Sequence, residues 1–578
     1  AIVGNDLKTI PNYPSEIRAP LGTLAGVSAF QLMFGSQRVF TPGDLPDTLV
    51  AMNPAALKVH LKDLKKGGTI LANANAFTDK NLKMATWETN PLTDGSLDGY
   101  TVYSMEMSKL VGKALENSDL TSKGIERTKN MFALGVLFWM YNRPIEPTEE
   151  WLRKKFAKNP SIAEANITAM KTGFNYGETT EIFTTSYAVE KADLPKGKYR
   201  NITGNVAVAY GLVAAAEKAG KELFLGSYPI TPASEILHTL SGLRNHGVKT
   251  FQAEDEIAGI ASAIGASYAG DLAVTTTSGP GMALKTEAIG LAIITELPLV
   301  IVNVQRGGPS TGMPTKMEQS DLLQAVHGRN SDAQIPVIAA QDPADCFDCA
   351  FEAARVAMKY MTPVILLTDG YLGQGSGPWK IPDPKKLPKI EVHHPDSSAR
   401  GEDGFMPYAR DENETRPWAI PGTPGLEHRI GGLEKENITG MVSQDPENHQ
   451  LMTDIRARKV ENITKDIPPS EIHGDTKGKV LVLGWGSTHG AIHVAVDRAR
   501  NKGQSVSQMH LRWVSPFPSD LKAICDNFDE ILIPEVNSGQ LAMLLKAELI
   551  RPIHQLNKVR GEPFRAFEIE EKINEILG

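Results

Sequence analysis

The chain has 578 residues, of which 41% are hydrophobic and 22% charged, and its formal net charge at pH 7 is −8. This length favours roughly three or four globular domains, and an acidic chain without a lysine- or arginine-rich run lacks the charge pattern of a nucleic-acid binder. The longest apolar stretch, at 297–304, is too short for the roughly 18 residues that cross a bilayer, so no membrane partner is predicted. No signal-peptide pattern begins the chain, and its three cysteines suit a reducing compartment, so we expect a cytoplasmic protein.

Residues 1–190 alternate apolar runs with helical patterns, which is typical of an α/β domain. "TLVAMN" at 48–53 and "TILANA" at 69–74 are strand patterns, and the segment between them has helical spacing and ends in a Gly-Gly turn. Together they predict one βαβ unit. A polar stretch then indicates a linker to the next domain.

Residues 200–375 show the same alternation more sharply. Continuous apolar strands between helices predict a doubly wound parallel sheet that is covered on both faces. Residues 376–475 are rich in proline, acids and amides with little periodicity, which indicates either an extended arm or a mobile linker. Residues 476–578 again read as a separate α/β domain.

Cys346 and Cys349 form a lone C-x-x-C pattern within a segment of helical spacing. Tetrahedral zinc sites and cubane iron–sulfur clusters normally need four ligands, and no second cysteine pair follows. We therefore predict that the pair shares a buried helix face, and we predict no metal ligand in this chain.

Four loops of the 200–375 block follow predicted strands. They contain Thr231, Glu254, the "SGPG" segment at 278–281 and Arg306. In an open parallel sheet, ligands bind beyond the carboxyl ends of the strands, so we expect these loops to converge on one crevice.

Each loop also has a purely structural interpretation. Acids at 254–256 can cap a helix, the glycines of "SGPG" can permit a tight turn, Arg306 can be an exposed surface residue, and two prolines can stiffen the turn around Thr231. The expected convergence at one sheet edge favours a functional site over four independent structural features.

Several segments resemble the α subunit of the 2-oxoacid:ferredoxin oxidoreductases, most closely the 2-oxoglutarate enzymes with a γ-type domain fused ahead of the α part. The γ part is matched by "SEIRAPLGTLAGVSAFQ" at 15–31 and by "PDTLVAMN". The α part is matched by "YPITPASEI", "FQAEDEIAGIASAIGASYAG", "TTTSGPGMALKTEAIG", "ELPLVIVNVQRGGPSTGMPTKMEQSDL", "WVSPFP" and "PEVNSGQL". The resemblance implies a pyrimidine-binding domain at 200–375, a transketolase-C-terminal-like domain at 476–578 and a γ-type domain at 1–190.

The resemblance implies that thiamine diphosphate is the cofactor. By its place in "QAEDEIAG", Glu254 matches the carboxylate that bonds N1′ of the pyrimidine ring, with Glu256 and Asp255 as alternatives. The pyrimidine side of the site would also include Tyr228, Pro229, Ile230, Ser278, Gly279, Pro280 and Gly281.

Arg306 is the expected partner of the 2-oxoacid carboxylate, because a guanidinium offers a forked and permanently charged donor. By the same resemblance, Thr231 would hydrogen-bond the substrate. The two prolines around Thr231 would hold its hydroxyl in place, since a catalytic group displaced by about 1 Å loses much of its effect.

The chain lacks the G-D-G and later N-N pattern of thiamine enzymes, and it lacks cysteines for a cluster. We therefore expect a β subunit to supply Mg²⁺, the diphosphate contacts and a [4Fe-4S] cluster, with coenzyme A and ferredoxin as co-substrates and a dimer of αβ heterodimers as the assembly. The glycine-rich opening common in γ-type domains is also missing from 1–190, where we assign no ligand.

The predicted reaction converts 2-oxoglutarate, coenzyme A and oxidised ferredoxin to succinyl-CoA, CO₂ and reduced ferredoxin. Pyruvate or a broad 2-oxoacid range is the nearest alternative, since the sequence leaves open whether Lys316, another residue or the partner binds a distal carboxylate. A non-redox thiamine enzyme and a non-catalytic scaffold subunit are alternatives from other classes.

Overall fold

The computed structural model describes residues 4–14, 26–180, 183 and 186–578. The chain divides into two units, Ala1–Lys196 and Gly197–Gly578. The segment at 15–31 that resembles a γ-type domain lies in part outside the described residues, which omit 15–25. Within the described ranges, no helix is both long enough and apolar enough to cross a membrane.

The first unit contains a parallel three-stranded sheet and a set of helices. Its elements in chain order are β1 (Asp6–Asn12), β2 (Ala29–Gly35), β3 (Thr48–Ala51), α1 (Pro54–His60), β4 (Thr69–Asn73), α2 (Asp79–Met84), β5 (Thr101–Met105), α3 (Met107–Ala114), α4 (Ser122–Glu126), α5 (Lys129–Met140), α6 (Glu146–Lys155) and α7 (Pro160–Thr179). Strands β1 and β2 pair antiparallel, whereas β3, β4 and β5 pair parallel in that order. The predicted βαβ unit is confirmed as β3, α1 and β4.

Helices α5 and α7 cross closely, and two glycines allow it. A Cβ atom on Gly135 would lie 2.0 Å from the Met170 carbonyl oxygen, and one on Gly173 would lie 2.0 Å from the Phe132 carbonyl oxygen. The sequence patterns did not predict α7, because small and polar residues weaken its apolar stripe. Pro160 at its first turn was an available start signal.

The second unit contains both of the larger parallel sheets. Its first elements are β6 (Tyr199–Thr203), α8 (Gly204–Ala219), β7 (Leu223–Ser227), α9 (Ser234–Ser241), β8 (Val248–Gln252), α10 (Glu256–Tyr268), β9 (Leu272–Thr277), α11 (Gly279–Leu284), α12 (Thr286–Ile294), β10 (Leu299–Gln305), α13 (Leu322–His327), β11 (Val337–Ala339), α14 (Asp345–Tyr360), β12 (Pro363–Asp369), α15 (Gly370–Gln374) and β13 (Ser376–Lys380). The remaining elements are α16 (Pro446–Asn462), β14 (Ile472–His473), β15 (Gly478–Trp485), α17 (His489–Asn501), β16 (Val506–Leu511), β17 (Trp513–Ser515), α18 (Leu521–Cys525), β18 (Phe528–Glu535), α19 (Gln540–Leu549), β19 (His554–Asn557) and α20 (Ala566–Leu577).

The sheet that carries the predicted site has the strand order β17-β11-β12-β10-β9-β7-β8. Its strands are parallel except for β17, which pairs antiparallel with β11. After β7 the chain places β8 on one side, and it then returns to place β9 on the other side. The winding direction therefore reverses between β7 and β9, which confirms the predicted doubly wound sheet.

The second sheet has the order β14-β16-β15-β18-β19, with β14 antiparallel at its edge. One hydrophobic core joins the two sheets, and it includes Ile301 and Ile365 from the first sheet and Leu483 and Ile531 from the second. The two sheets are therefore packed together within one unit. The predicted division of the chain into four domains stays a prediction.

The segment at 376–475 packs against the first sheet's helices and loops as an irregular arm. Trp418 Nε1 donates a hydrogen bond to the Ser267 carbonyl oxygen at 3.0 Å, and Arg416 Nε donates to the Thr295 carbonyl oxygen at 3.0 Å. The arm ends in α16, which the sequence analysis missed although Asp445 caps it. These buried contacts support the arm interpretation over that of a mobile linker.

Candidate active site

The predicted site loops follow strands on both sides of the point where the winding reverses. The loop 228–233 follows β7, and the turn 278–281 follows β9, its neighbour in the sheet. A doubly wound sheet leaves a crevice at this point, because the connections from the two strands leave in opposite directions. Fold topology alone therefore marks this edge as a binding position.

Arg306 follows β10 at the same edge, and its side chain contacts the loop after β7. Arg306 Nη1 donates a hydrogen bond to the Thr231 carbonyl oxygen at 2.7 Å. The residue is 6% exposed, and its buried Nε has no hydrogen-bond partner among the described residues. Burial lowers the pKa of the Arg306 guanidinium, and the carboxylates of Asp321 and Glu256 oppose this shift. The structure thus brings together two of the predicted residues, and donor capacity on Arg306 stays unused.

Thr231 contributes its backbone, not its side chain, to this contact. The residue is exposed, and the peptide bond between Thr231 and Pro232 is cis. The neighbouring Ile230 carbonyl accepts hydrogen bonds from the Ser234 backbone and hydroxyl at 3.0 and 3.1 Å, which ties the loop to the start of α9. Contacts to two adjacent carbonyl groups, those of Ile230 and Thr231, therefore hold the loop, while Thr231 itself is exposed.

The "SGPG" segment is the start of α11. Ser278 is its N-cap residue, and the buried Ser278 Oγ has no hydrogen-bond partner in the described part of the chain. A Cβ atom on Gly281 would lie 2.2 Å from Thr277 Oγ1 and 2.7 Å from Glu256 Cγ. Glycine is required at 281 because the first residue of α10 packs directly on this turn.

The three acids at 254–256 occupy different environments. Glu254 lies exposed in the bend before α10, whereas Asp255 caps that helix by accepting a hydrogen bond from the Ala258 N–H at 2.7 Å. Glu256 is only 8% exposed and lies against Gly281. No hydrogen bond to its carboxylate is found among the described residues. The structure therefore brings Glu256 to the turn and leaves Glu254 at the surface.

Lys285 is a buried lysine that contacts the backbone of Glu256, and the sequence analysis missed it. Its Nζ donates a hydrogen bond to the Glu256 carbonyl oxygen at 2.6 Å. Burial lowers the pKa of Lys285 to about 8, although Glu256 and Asp255 oppose the shift. The available signal was a lysine directly after the apolar residues "MAL" at 282–284, because a fully buried lysine is rare without a partner.

The loop after Arg306 is held by the second sheet. Gln319 exchanges two hydrogen bonds with the Val536 backbone at 2.9 and 3.0 Å, and its Nε2 donates to the Trp485 carbonyl oxygen at 2.8 Å. Asn537 Nδ2 donates to the Gln319 carbonyl oxygen at 2.8 Å. The "PEVNSGQL" segment therefore holds the loop that begins at Arg306 by hydrogen bonds. The sequence analysis did not predict this positioning role.

Lys316 lies in the same loop as Arg306. Its carbonyl oxygen accepts a hydrogen bond from the Gly307 N–H at 2.9 Å, so the two ends of the loop meet. Burial lowers the pKa of Lys316, and Glu562 opposes the shift. The structure therefore places a half-buried second cation on the element that carries Arg306.

The cysteine pair lies apart from these loops. Cys346 and Cys349 are fully buried on α14, and Cys349 Sγ donates a hydrogen bond to Asp345 Oδ2 at 3.3 Å. Burial raises the pKa of the Cys349 thiol well above its usual value. The predicted shared helix face is confirmed.

Fold and site together define a doubly wound α/β protein with a candidate ligand site at the winding reversal. Three family models match the chain. The model described as pyruvate flavodoxin/ferredoxin oxidoreductase, thiamine diphosphate-binding, matches residues 215–445. Pyruvate ferredoxin/flavodoxin oxidoreductase matches 1–176, and pyruvate:ferredoxin oxidoreductase core domain II matches 478–569.

Relatives cover nearly the whole chain. The 2-oxoglutarate oxidoreductase subunit KorA of Mycobacterium tuberculosis is 51% identical over 98% of this chain and 86% of its own length. A 2-oxoacid:ferredoxin oxidoreductase α subunit of Aeropyrum pernix is 29% identical over 94% of this chain and 84% of its own. The chain therefore belongs to the family of 2-oxoacid:ferredoxin oxidoreductase α subunits, as its sequence motifs predicted.

A solved structure matches the fold along the whole chain. The 2-oxoglutarate:ferredoxin oxidoreductase from Magnetococcus marinus, with 2-oxoglutarate, coenzyme A and succinyl-CoA bound, superposes with a TM-score of 0.87 at 31% identity. The match covers 100% of this chain and 95% of that chain. The predicted multidomain α/β fold and the predicted class of oxidoreductase are confirmed at the level of the family.

The residues at the winding reversal suit the aminopyrimidine half of thiamine diphosphate. That ring presents N1′ to a carboxylate and needs close approach of the backbone on one side. Glu256 offers a carboxylate without a hydrogen-bond partner among the described residues, and the glycine turn at 279–281 removes side chains from beside it. Ser278 adds a buried hydroxyl with unused capacity. The donor set fits this half of the cofactor.

Proposed function

We propose that this chain is the α subunit of a 2-oxoglutarate:ferredoxin oxidoreductase, which converts 2-oxoglutarate, coenzyme A and oxidised ferredoxin to succinyl-CoA, CO₂ and reduced ferredoxin. The observation that carries the proposal is that a buried carboxylate, that of Glu256, and a buried guanidinium, that of Arg306, both follow strands at the sheet edge where the winding reverses. The names of the Mycobacterium and Magnetococcus relatives support 2-oxoglutarate as the substrate.

Glu256 is our candidate for the carboxylate that holds N1′ of the pyrimidine ring. Thiamine diphosphate, when bound, supplies a nucleophilic carbon that can hold the electron pair left behind by departing CO₂. Glu256 would favour the required tautomer of the ring by its charge-assisted hydrogen bond. Lys285 would keep Glu256 in place through the hydrogen bond to its carbonyl oxygen. Glu254, the first expectation from sequence, is the less suitable candidate because it lies exposed in the bend.

Arg306 is our candidate for binding the substrate carboxylate. One of its donors is already fixed on the Thr231 carbonyl oxygen, which orients the guanidinium plane while its other N–H groups remain usable. Thr231 would present its exposed hydroxyl beside the same position. Lys316, on the loop that starts at Arg306, is the candidate for the second carboxylate that distinguishes 2-oxoglutarate from pyruvate.

A β subunit is the proposed partner, and it would bring Mg²⁺, the diphosphate contacts and a [4Fe-4S] cluster. Large apolar side chains stand exposed on elements at the site edge, as expected for a surface that a partner covers: Tyr228 38%, Phe251 46%, Ile257 51% and Leu284 53%. We further propose a dimer of αβ heterodimers as the assembly and ferredoxin as the electron acceptor.

The test is to purify the chain with its partner subunit and to follow reduction of ferredoxin with thiamine diphosphate, coenzyme A and a 2-oxoacid. Reduction that requires coenzyme A and is faster with 2-oxoglutarate than with pyruvate is the expected result. Faster reduction with pyruvate would overturn the proposed substrate. Pyruvate is the specific alternative, because the matching family models are named for it. Turnover without an acceptor would indicate a non-redox thiamine enzyme, and no turnover by the loaded complex would indicate a scaffold.

A further inference from the structure

A cluster of two histidines and an aspartate lies on elements that carry none of the candidate active-site residues. His473 is on β14, and His493 and Asp497 are on α17. One ligand atom from each side chain can be chosen so that all three lie within 4.8 Å of one another. Imidazole nitrogens with a carboxylate oxygen are a donor set that zinc-class ions prefer.

The fold brings these side chains together from two elements. His493 and Asp497 are four residues apart, so they occupy the same face of α17. Strand β14 pairs with β16 so that His473 stands opposite Gln508. The imidazole rings of His473 and His493 lie with their centroids 4.1 Å apart. A short edge strand is thereby tied to the helix through these side chains.

The distances already approach those of a bound ion. His473 Nε2 lies 2.6 Å from Asp497 Oδ1, and His493 Nε2 lies 3.5 Å from Asp497 Oδ2. Donor atoms on one tetrahedral zinc ion are about 3.4 Å apart, given Zn–N and Zn–O bonds of about 2.0–2.1 Å. Binding therefore needs the contact between His473 Nε2 and Asp497 Oδ1 to open by about 1 Å, and the ligand atoms of the three side chains, now within 4.8 Å of one another, to close around the ion. It also needs His473 Nε2, which donates to the carboxylate at this distance, to give up its proton to solvent or to Nδ1. His473 and Asp497 are half-exposed, so both side chains have room to move.

Gln508 fixes the protonation of His493 in the form that a metal requires. Gln508 is 2% exposed, and its Nε2 donates a hydrogen bond to the His489 carbonyl oxygen at 3.2 Å. Because this contact fixes the amide orientation, Gln508 Oε1 is the acceptor that faces His493 Nδ1 at 3.1 Å. His493 Nδ1 therefore carries the proton, and the Nε2 lone pair points toward Asp497. Outer hydrogen bonds of this kind orient metal-binding histidines.

We propose that His473, His493 and Asp497 bind one zinc-class divalent ion, with water completing the coordination. His473 is 41% exposed and Asp497 is 45% exposed, so solvent reaches the open coordination positions. Arg500, one turn beyond Asp497 on α17, is paired with Asp475 at 2.9 Å and donates to the Val506 carbonyl oxygen at 3.0 Å, so its charge already has partners outside the cluster. The bound ion would clip the edge strand β14 to α17.

The test is a calorimetric titration of Zn²⁺ into the full chain after treatment with a chelator. The wild type should bind one equivalent at this cluster. His473→Ala and Asp497→Asn should each weaken that binding at least about tenfold. His554→Ala is the matched control, because His554 also faces a carboxylate, Glu530 at 2.9 Å, with similar exposure. Among the described residues, no third metal-ligating side chain joins this pair. Its Zn²⁺ affinity should equal that of the wild type.

Two further measurements separate a metal site from a structural hydrogen-bond cluster. Co²⁺ should give visible absorption bands in the wild type that His493→Ala abolishes, while Mg²⁺ should not compete because it prefers oxygen ligands. Gln508→Leu should weaken Zn²⁺ binding about tenfold or more, and Gln508→Glu, which keeps the acceptor, should restore it. Absence of a stoichiometric Zn²⁺ site, or equal affinity in wild type, His473→Ala and Asp497→Asn, would overturn the proposal.

Discussion

A buried charge lies at each end of strand β10, but only one of the two is fully paired with protein groups. Before the strand, Glu296 is fully buried and is bound by Arg410, with Nη1 2.7 Å from Oε2, and by Lys459. Although burial alone would raise the pKa of Glu296, these two cations hold it at about 2. After the strand, Arg306 is nearly as buried but makes one side-chain hydrogen bond and leaves its Nε without a partner among the described residues.

This difference separates anchoring from recognition. A buried charge that is fully paired stabilises the fold, and here it fastens the arm to the first sheet. A buried charge with unused donors carries a desolvation cost that its protein contacts do not offset, and such a cost is typical of a site built to receive a ligand. This contrast supports the proposal that the carboxyl end of β10 belongs to the active site, whereas the amino end belongs to the scaffold.

The largest expected effect comes from Arg306→Ala. We expect kcat/KM for 2-oxoglutarate to fall about 10²–10³-fold, because a buried charge partner of the substrate is lost, while thermal stability changes little. Steady-state ferredoxin reduction and thermal unfolding measure the two effects. Arg306→Lys keeps the charge but loses the forked pair of donors, so its kcat/KM should lie between those of the wild type and Arg306→Ala. Loss with 2-oxoglutarate alone and not with pyruvate would reassign Arg306 to the distal carboxylate.

At the amino end of β10 we expect a substitution to lower stability and to leave turnover unchanged. Lys459→Met should lower the free energy of unfolding by about 3 kcal/mol, near the low end for a broken buried ion pair because Arg410 still contacts Glu296. Chemical denaturation measures this loss, and kcat per folded molecule should stay near the wild-type value. Arg458→Met, which removes an exposed pair with Glu414 from the same helix, is the control and should change stability by less than about 1 kcal/mol. A catalytic defect in Lys459→Met would remove the distinction between the two ends.

A third buried charge separates the effect of pairing from the effect of position along a strand. Glu535 lies at the carboxyl end of its strand, as Arg306 does, but it is fully paired. It accepts hydrogen bonds from Trp485 Nε1 and Asn537 Nδ2 and from the N–H groups of Leu541 and Ala542. Glu535→Leu leaves these donors buried and should cost about 1–3 kcal/mol of unfolding free energy.

Chemical denaturation of Glu535→Leu should be compared with Glu530→Gln, an exposed carboxylate on the same strand, which should be nearly neutral. We expect the loss of stability to depend on whether the buried charge is paired, and not on its position along a strand. An unchanged stability in Glu535→Leu would contradict it.

The smallest effect is a change in pH dependence at Lys285. Its pKa is lowered to about 8 by burial, so between about pH 8 and its usual value near 10.5 the unfolded chain binds more protons than the folded protein. Wild-type stability should therefore rise with pH in this window relative to Lys285→Met. Unfolding at pH 7.5 and pH 10 measures the difference, with exposed Lys522→Met as control. Parallel pH profiles for wild type and Lys285→Met would show that folding does not lower the pKa of Lys285.

Much of the fold could be predicted from the sequence, and so could the sheet edge at which the candidate site lies. Apolar strands next to helical patterns are local signals, and they placed Thr231, Ser278 and Arg306 at one edge because parallel strands share their carboxyl ends. Helices α7 and α16 were missed because small and polar residues weaken their apolar stripes, although a proline and a cap marked their starts.

The choice among Glu254, Asp255 and Glu256 could not be made from sequence. Successive residues at a helix start point in directions about 100° apart, so the inward-facing acid depends on how the helix meets the turn at Gly281. The roles of Lys285 and Gln319 were equally hidden. Their partners are backbone atoms, which leave no residue pattern in the sequence. Contacts of this kind become visible only in three dimensions.

The central claim is that Glu256, buried at the winding reversal, holds the cofactor ring. It is tested most directly by measuring Glu256→Gln and Glu254→Gln side by side, in complex with the partner subunit, by coenzyme A-dependent ferredoxin reduction at saturating thiamine diphosphate. We expect Glu256→Gln to lose about 10²–10⁴-fold in turnover with assembly intact, while Glu254→Gln remains near wild type. The reverse ranking would contradict it and return the role to Glu254.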